Sequence, residues 1–128
     1  MRMRMMFASV AAVALAYSGA VAAEGKAMAK TEEQTSAVKG EVLDLSCYMG
    51  HGGQGEGHAG CAAKCLQGGA PMGLLGTDGA VYLLFADHSD ASAYEKTKGF
   101  AGKNVEVTGE VATKGTLKGI TVHGVKAL

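Results

Sequence analysis

The sequence predicts one small, mainly β domain, a five-stranded Greek-key barrel with two short helices, and three observations support this prediction. The chain has 128 residues, which suits a single domain. Its 20 glycines separate short apolar runs, several of which alternate with polar residues as strands do. Two stretches with helix-forming and capping residues interrupt these runs. The predicted order is strand, helix, strand, strand, helix, strand, strand.

The overall charge excludes several classes of function. The chain has 12 Lys and Arg residues against 12 Asp and Glu residues, for a formal net charge of +0. A nucleic-acid-binding surface normally appears as a basic excess, so we expect no nucleic acid partner. The composition also excludes collagens, coiled coils and polytopic membrane proteins.

The first 23 residues are predicted to be a secretory signal peptide. Arg2 and Arg4 give a basic start, residues 7–17 are apolar apart from one serine, and residues 20–23 are small enough for cleavage. The apolar stretch is well short of the roughly 20 residues that a membrane-spanning helix needs. We therefore expect a periplasmic or secreted protein whose mature chain has no stable membrane insertion.

The first half of the mature chain contains a linker, a strand and a helix. Residues 24–37 combine charge and small side chains without an apolar period, which predicts a disordered linker and a folded domain over residues 38–128. Apolar residues from Val38 onward predict a first strand that runs to about residue 48. A glycine-rich loop follows, and residues 56–67 then predict a helix that two glycines end.

The second half contains four strands and one helix. The apolar runs at 72–75 and 80–86 flank an Asp-Gly turn, which predicts a hairpin. Residues 91–100 predict the second helix, and the alternating runs at 104–112 and 116–126 predict the last two strands. Five strands with a helix between the third and the fourth match a barrel of the OB type. A Cys/His insertion over residues 47–69 follows strand 1.

The cysteines and two of the histidines share one stretch of the chain. All three cysteines lie between Cys47 and Cys65, together with His51 and His58. Thiols tend to pair in an oxidising compartment, and three thiols leave one over. Disulfides that staple a whole domain would be spread along the chain, so the clustering indicates a site.

The spacing of these residues predicts a metal site. On a continuous helix, His58, Cys61 and Cys65 would present their side chains on one face. Cys47, returned by the glycine loop, would supply the fourth ligand of a tetrahedral ion, with His51 outside this shell or exchanging into it. A thiolate-rich shell favours zinc or copper(I). Zinc is the usual structural ion, while export and the nearby Met49 favour copper.

Two other readings of the cysteines stay open. Cys47 could form a disulfide with Cys61 or Cys65, which would make the cluster a structural staple of an OB-type ligand-binding module. The cysteines could also form a labile thiol-disulfide site of a redox protein. A direct Cys61–Cys65 bond is disfavoured, since side chains on successive helical turns tilt the same way.

The predicted metal site leads to the first functional hypothesis. On this hypothesis the chain is an exported metal-binding protein for storage, delivery or sensing of zinc or copper. Motifs for a nucleophilic hydrolase or a phosphate-binding loop do not occur in the sequence, so this hypothesis is non-enzymatic.

The stretch from Asp44 to Leu84 resembles a group of small exported bacterial proteins with an OB-like domain and no assigned function. The shared motif is a cysteine followed by His-x2-Cys-x3-Cys-x2-Gly-Gly-x-Pro. The resemblance implies a common metal or redox site at Cys47, His58, Cys61 and Cys65. It supports a role for His51 in this site less strongly. Asp44 itself is predicted to be a solvated turn residue, with an acceptor role for a ligand imidazole as the alternative.

Overall fold

A computed structural model describes residues 35–128, and within them five strands close into a barrel. The strands are β1 (Thr35–Asp44), β2 (Met72–Gly76), β3 (Val81–Ala86), β4 (Asn104–Lys114) and β5 (Leu117–Ala127). Their order around the barrel is β1-β2-β3-β5-β4. Neighbouring strands are antiparallel except β3 and β5, which are parallel. The predicted five-stranded, OB-like barrel is confirmed.

The strand β1 begins earlier than the sequence predicts. The sequence predicts that residues 35–37 end a disordered linker, but in the structure they pair with residues 108–110 of β4. Their backbone hydrogen-bonding groups are satisfied by the barrel, so the strand extends although its first side chains are partly exposed. The predicted signal peptide and the linker before residue 35 lie outside the described residues.

In the described part of the chain, three helices and one 3-10 turn accompany the strands. They are α1 (Leu45–His51), the turn Glu56–His58, α2 (Ala59–Gln67) and α3 (Ser92–Lys98). The first three form the predicted insertion between β1 and β2, and α3 connects β3 to β4. None of the helices in residues 35–128 has the length and apolar character needed to cross a bilayer.

Helix α1 is not predicted from the sequence, which extends the first strand to about residue 48. The strand ends at Asp44, whose carboxylate accepts a hydrogen bond from the Ser46 amide at 2.9 Å and caps the helix. The helix ends at Gly52, which has a left-handed backbone with φ 73°. This short helix turns Cys47 out of the sheet and towards α2.

Aliphatic side chains fill the core of the domain. Val105 and Val107 of β4 and Ile120 and Val122 of β5 are 0% exposed, as their alternation predicts. Leu66 of α2 joins the same cluster and is also fully buried, which fixes α2 against the barrel. The cysteines are not part of this core.

One aromatic side chain departs from the predicted packing. Phe85 is expected to fill the barrel but is 44% exposed. Its ring lies over Gly119 on the neighbouring strand β5, in space that a side chain at that position would occupy.

Candidate metal site

The three cysteines converge at one place on the surface. The sulfur atoms of Cys47, Cys61 and Cys65 all lie within 4.8 Å of one another, and all three are free thiols. Cys47 comes from α1, while Cys61 and Cys65 come from successive turns of α2. The structure confirms that the chain brings Cys47 back to the other two cysteines. Cys61 is exposed and the other two are half-buried.

Two histidines form a second group around the same sulfur. A ring nitrogen of His51, a ring nitrogen of His58 and the Cys47 sulfur lie within 4.8 Å of one another. The two imidazole rings meet edge to face, with centroids 5.5 Å apart. His51 is the exposed last residue of α1, and His58 is half-buried. Cys47 is therefore common to a three-sulfur group and a sulfur-and-two-imidazole group.

This grouping differs from the predicted shell, which joins His58 to Cys61 and Cys65. His58 ends a 3-10 turn and α2 begins one residue later, so the α-helical spacing does not extend back to it. The His58 ring instead joins Cys47 and His51. His51, expected outside the shell or exchanging into it, belongs to the same group because α1 carries both it and Cys47.

Asp44 lies directly beneath the cysteines, and its prediction as a solvated turn residue is wrong. The side chain is 0% exposed, and its Oδ2 atom has no hydrogen-bond partner of normal geometry. Burial acts to raise the pKa of Asp44, but interactions with the Cys47 thiol and the Ser46 amide lower the pKa on balance. The sequence signal for its capping role is an aspartate two residues before a serine at the end of an apolar strand.

The same carboxylate alters the two half-buried thiols. Its interaction with the Cys47 thiol, together with partial burial, raises the pKa of that thiol to about 12. Asp44 also raises the pKa of Cys65, again with a contribution from burial. Both thiols are therefore protonated at neutral pH in the metal-free protein, and a metal ion must displace their protons to bind.

The glycine loop fits closely around His58. The Nε2 atom of His58 is buried and has no hydrogen-bond partner. A Cβ atom at Gly53 would lie 2.7 Å from this nitrogen, so only glycine leaves room for the ring. The Gly53 amide donates to the Cys47 carbonyl at 3.3 Å, and the Gly55 amide donates to the Glu41 carboxylate. These bonds tie the loop to α1 and to β1.

The other two histidines lie outside the site. His88 is exposed in the turn after β3. On β5, the Nε2 atom of His123 lies 3.1 Å from a carboxylate oxygen of Asp87 and 3.8 Å from one of Glu110. Neither histidine belongs to the two donor groups around Cys47.

Comparison with protein-family models, with curated proteins and with solved structures finds no match for this chain. The function must therefore be argued from the site itself. The site offers three sulfurs and two imidazoles, a donor set that suits soft or borderline cations such as copper(I) and zinc. The buried carboxylate next to the thiols adds negative charge that a bound cation would compensate.

Proposed function

We propose that this protein is exported and binds zinc or copper(I) for storage, delivery or sensing of the ion. The observation that supports this most directly is the convergence of three cysteine sulfurs and two imidazoles around Cys47. Export is inferred from the basic and apolar start of the sequence. In an oxidising compartment outside the cytoplasm, neighbouring thiols tend to pair, and a bound ion would keep them from doing so.

The distances within each group suit a shared ion. With metal-sulfur bonds of about 2.3 Å and metal-nitrogen bonds of about 2.0 Å, two ligands of one tetrahedral ion lie roughly 3.3 to 3.8 Å apart. The atoms in each group lie within 4.8 Å of one another, so only small side-chain adjustments are needed. The loop that carries His58 is already held by backbone hydrogen bonds, which lowers the cost of ordering the site.

The position of the site favours a cargo ion over a structural one. The apolar core is formed by the barrel and by Leu66, without any cysteine. Cys61 and His51 are exposed, so an incoming ligand can reach a bound ion from solvent. A structural ion would more commonly be enclosed by its ligands and would replace part of a core.

The thiol-disulfide alternative is less well supported by the electrostatics. Redox-active cysteines need a lowered pKa, supplied by a nearby cation or a helix N-terminus. Here the Asp44 carboxylate raises the pKa of both Cys47 and Cys65. The buried carboxylate repels a free thiolate, whereas the same negative charge would attract a bound cation.

Anaerobic native mass spectrometry of the chain without residues 1–23 tests this proposal. The protein is reduced, loaded separately with zinc(II) and copper(I), passed over a weak chelator, and then alkylated. We expect bound metal and protected thiols in the wild type, and no bound metal in the variant with all three cysteines changed to serine. Replacement of the exposed His88 by alanine is the control and should change nothing.

Alkylation of all three thiols without any bound metal would contradict the proposal. A second sample, purified without reduction, would also contradict it if it were metal-free and lighter by the two hydrogens of a disulfide, with one thiol open to alkylation. That result would favour a redox protein or a ligand-binding module with a structural disulfide.

A further inference from the structure

We propose that the site holds two metal ions and that the Cys47 sulfur bridges them. This inference rests on the proposed metal-binding function and adds to it the number of ions and the role of Cys47. One ion would bind the three sulfurs of Cys47, Cys61 and Cys65. The other would bind Cys47 together with His51 and His58.

The donor distances support two ions over one four-coordinate ion. The structure brings together two sets of three donors, each within 4.8 Å, and Cys47 is the only residue in both sets. A single Cys3His shell would require His58 or His51 to join the group formed by Cys61 and Cys65, which neither does. Two ions use all five donors as they stand. A thiolate sulfur has enough lone pairs to bind two soft cations at once.

The two buried polar atoms without partners divide between the two groups. Within residues 35–128, these side-chain atoms are Asp44 Oδ2 and His58 Nε2. Asp44 contacts the three-sulfur group through the Cys47 and Cys65 thiols, and His58 belongs to the histidine group. A buried polar atom without a partner is costly. A cation among the sulfurs would compensate the charge of Asp44, and ligation through Nε2 would give the His58 nitrogen its partner.

The charge at the site also favours a second ion. Once metal binding has displaced the thiol protons, three thiolates and the buried Asp44 carboxylate would together carry four negative charges. One zinc ion neutralises half of this charge, whereas two zinc ions neutralise all of it. Two copper(I) ions leave a smaller excess than one. Uncompensated charge beside a fully buried carboxylate is unfavourable, so the first ion leaves an attractive field for the second.

Each group has one donor that faces solvent. Cys61 is the exposed member of the sulfur group, and His51 is the exposed member of the histidine group. Cys47, which both groups share, is half-buried between them. Either ion can therefore enter or leave through its own exposed ligand while the bridging sulfur stays in place.

The test combines metal counting with X-ray absorption on the reduced, full mature chain. Zinc(II) and copper(I) are loaded in separate samples and weakly bound ions are removed with a chelator. With at least one of these metals, we expect two ions per chain and a metal-metal scattering vector. His51→Ala should retain one ion with sulfur ligands and lose that vector, and His88→Ala is the matched control that should retain both ions.

Two further variants separate the bridge from the individual groups. The Cys61→Ser and Cys65→Ser double variant should retain one ion, ligated by one sulfur and two nitrogens. Cys47→Ser should lose both ions at the same chelator concentration, because serine cannot replace a bridging thiolate. Circular dichroism confirms that each variant is folded.

The outcomes distinguish this inference from the proposed function. One ion per wild-type chain with both metals would overturn the two-ion site and leave the metal-binding function standing. Two ions without a metal-metal vector would overturn the bridge, since the ions would then occupy separate places. No bound ion with either metal would overturn both proposals.

Discussion

The carboxylate of Asp44 caps the helix that carries Cys47 and at the same time interacts with the Cys47 thiol. One buried side chain thus fixes the backbone on which the shared ligand lies and holds the metal-free thiol in its protonated form. This relationship links the fold to the chemistry of the site, because β1 ends and the candidate site begins at the same residue.

Replacement of Asp44 by asparagine should make Cys47 more reactive. Asparagine caps helices about as well as aspartate, so α1 should still begin at Leu45. Loss of the negative charge should lower the pKa of Cys47 from about 12 towards its ordinary value of 9.0. The thiolate fraction at pH 8 should rise roughly tenfold for each pKa unit. The rate of iodoacetamide labelling at Cys47, followed by peptide mass spectrometry on metal-free protein, measures this change.

The control for that experiment is Asp90→Asn, which removes an exposed carboxylate near α3. Labelling of Cys47 should be unchanged in the control. Equal labelling rates in Asp44→Asn and the wild type across the pH range would show that the carboxylate does not govern the thiol.

Gly53→Ala should displace the His58 ring and weaken the histidine group. The new Cβ would lie 2.7 Å from Nε2, closer than real side chains approach, so the ring or the loop must move. Overpacking of this kind costs roughly 1–3 kcal/mol of stability. Gly50→Ala is the matched control, because a Cβ at Gly50 meets no atom within 4 Å. Urea unfolding measures the loss of stability, and competition with a chelator for zinc measures the weaker metal binding. Equal stability and equal zinc affinity of the Gly53→Ala and Gly50→Ala variants would contradict the packing argument.

The sequence predicts the barrel well because apolar residues alternate with other residues along its strands. The alternating Val105, Val107, Ile120 and Val122 are all fully buried, so local periodicity and tertiary packing agree. The helix α1 has no such pattern. Its start depends on the Asp44 cap and on a hydrogen bond from the Leu45 amide to the Pro71 carbonyl, a contact distant in sequence.

The membership of the site is predictable from residue types, but the grouping of its donors is not. Cys47, Cys61 and Cys65 stand out because thiols cluster in one short stretch. The partners of His58 depend on whether its turn is α-helical or 3-10, a difference of one backbone hydrogen-bond register. The place of His51 depends on α1, which the sequence does not predict.

Leu66→Ala should destabilise the attachment of α2 to the barrel. Leu66 is 0% exposed and lies in the main core, while it sits on the helix that carries Cys61 and Cys65. Removal of a buried leucine side chain costs about 2–5 kcal/mol in a packed core. The neighbouring Gln67 is exposed, so Gln67→Ala should change the free energy of unfolding by no more than about 0.5 kcal/mol. Urea denaturation of metal-free protein gives both values, and similar values for the two variants would argue against a docked α2.

Asp87→Asn should reduce stability at neutral pH and lose this effect in acid. Hydrogen bonds from the Ser89 hydroxyl and amide, with a smaller contribution from His123, lower the pKa of Asp87 from 3.8 to about 2 in the folded protein. A carboxyl group with a lowered folded-state pKa stabilises the fold above its unfolded pKa, and that contribution disappears as the pH falls through its folded pKa. The difference in urea unfolding midpoint between wild type and variant should therefore be constant above pH 3.8. It should shrink to zero as the pH falls from 3.8 to about 2. Ser89→Ala removes the hydroxyl donor that contributes most to the lowered pKa of Asp87. The acid-dependent loss of stability in this variant should therefore be smaller than in the wild type and should be complete at a higher pH. A midpoint difference that does not change across this range would mean that Asp87 acts through packing, not through its charge.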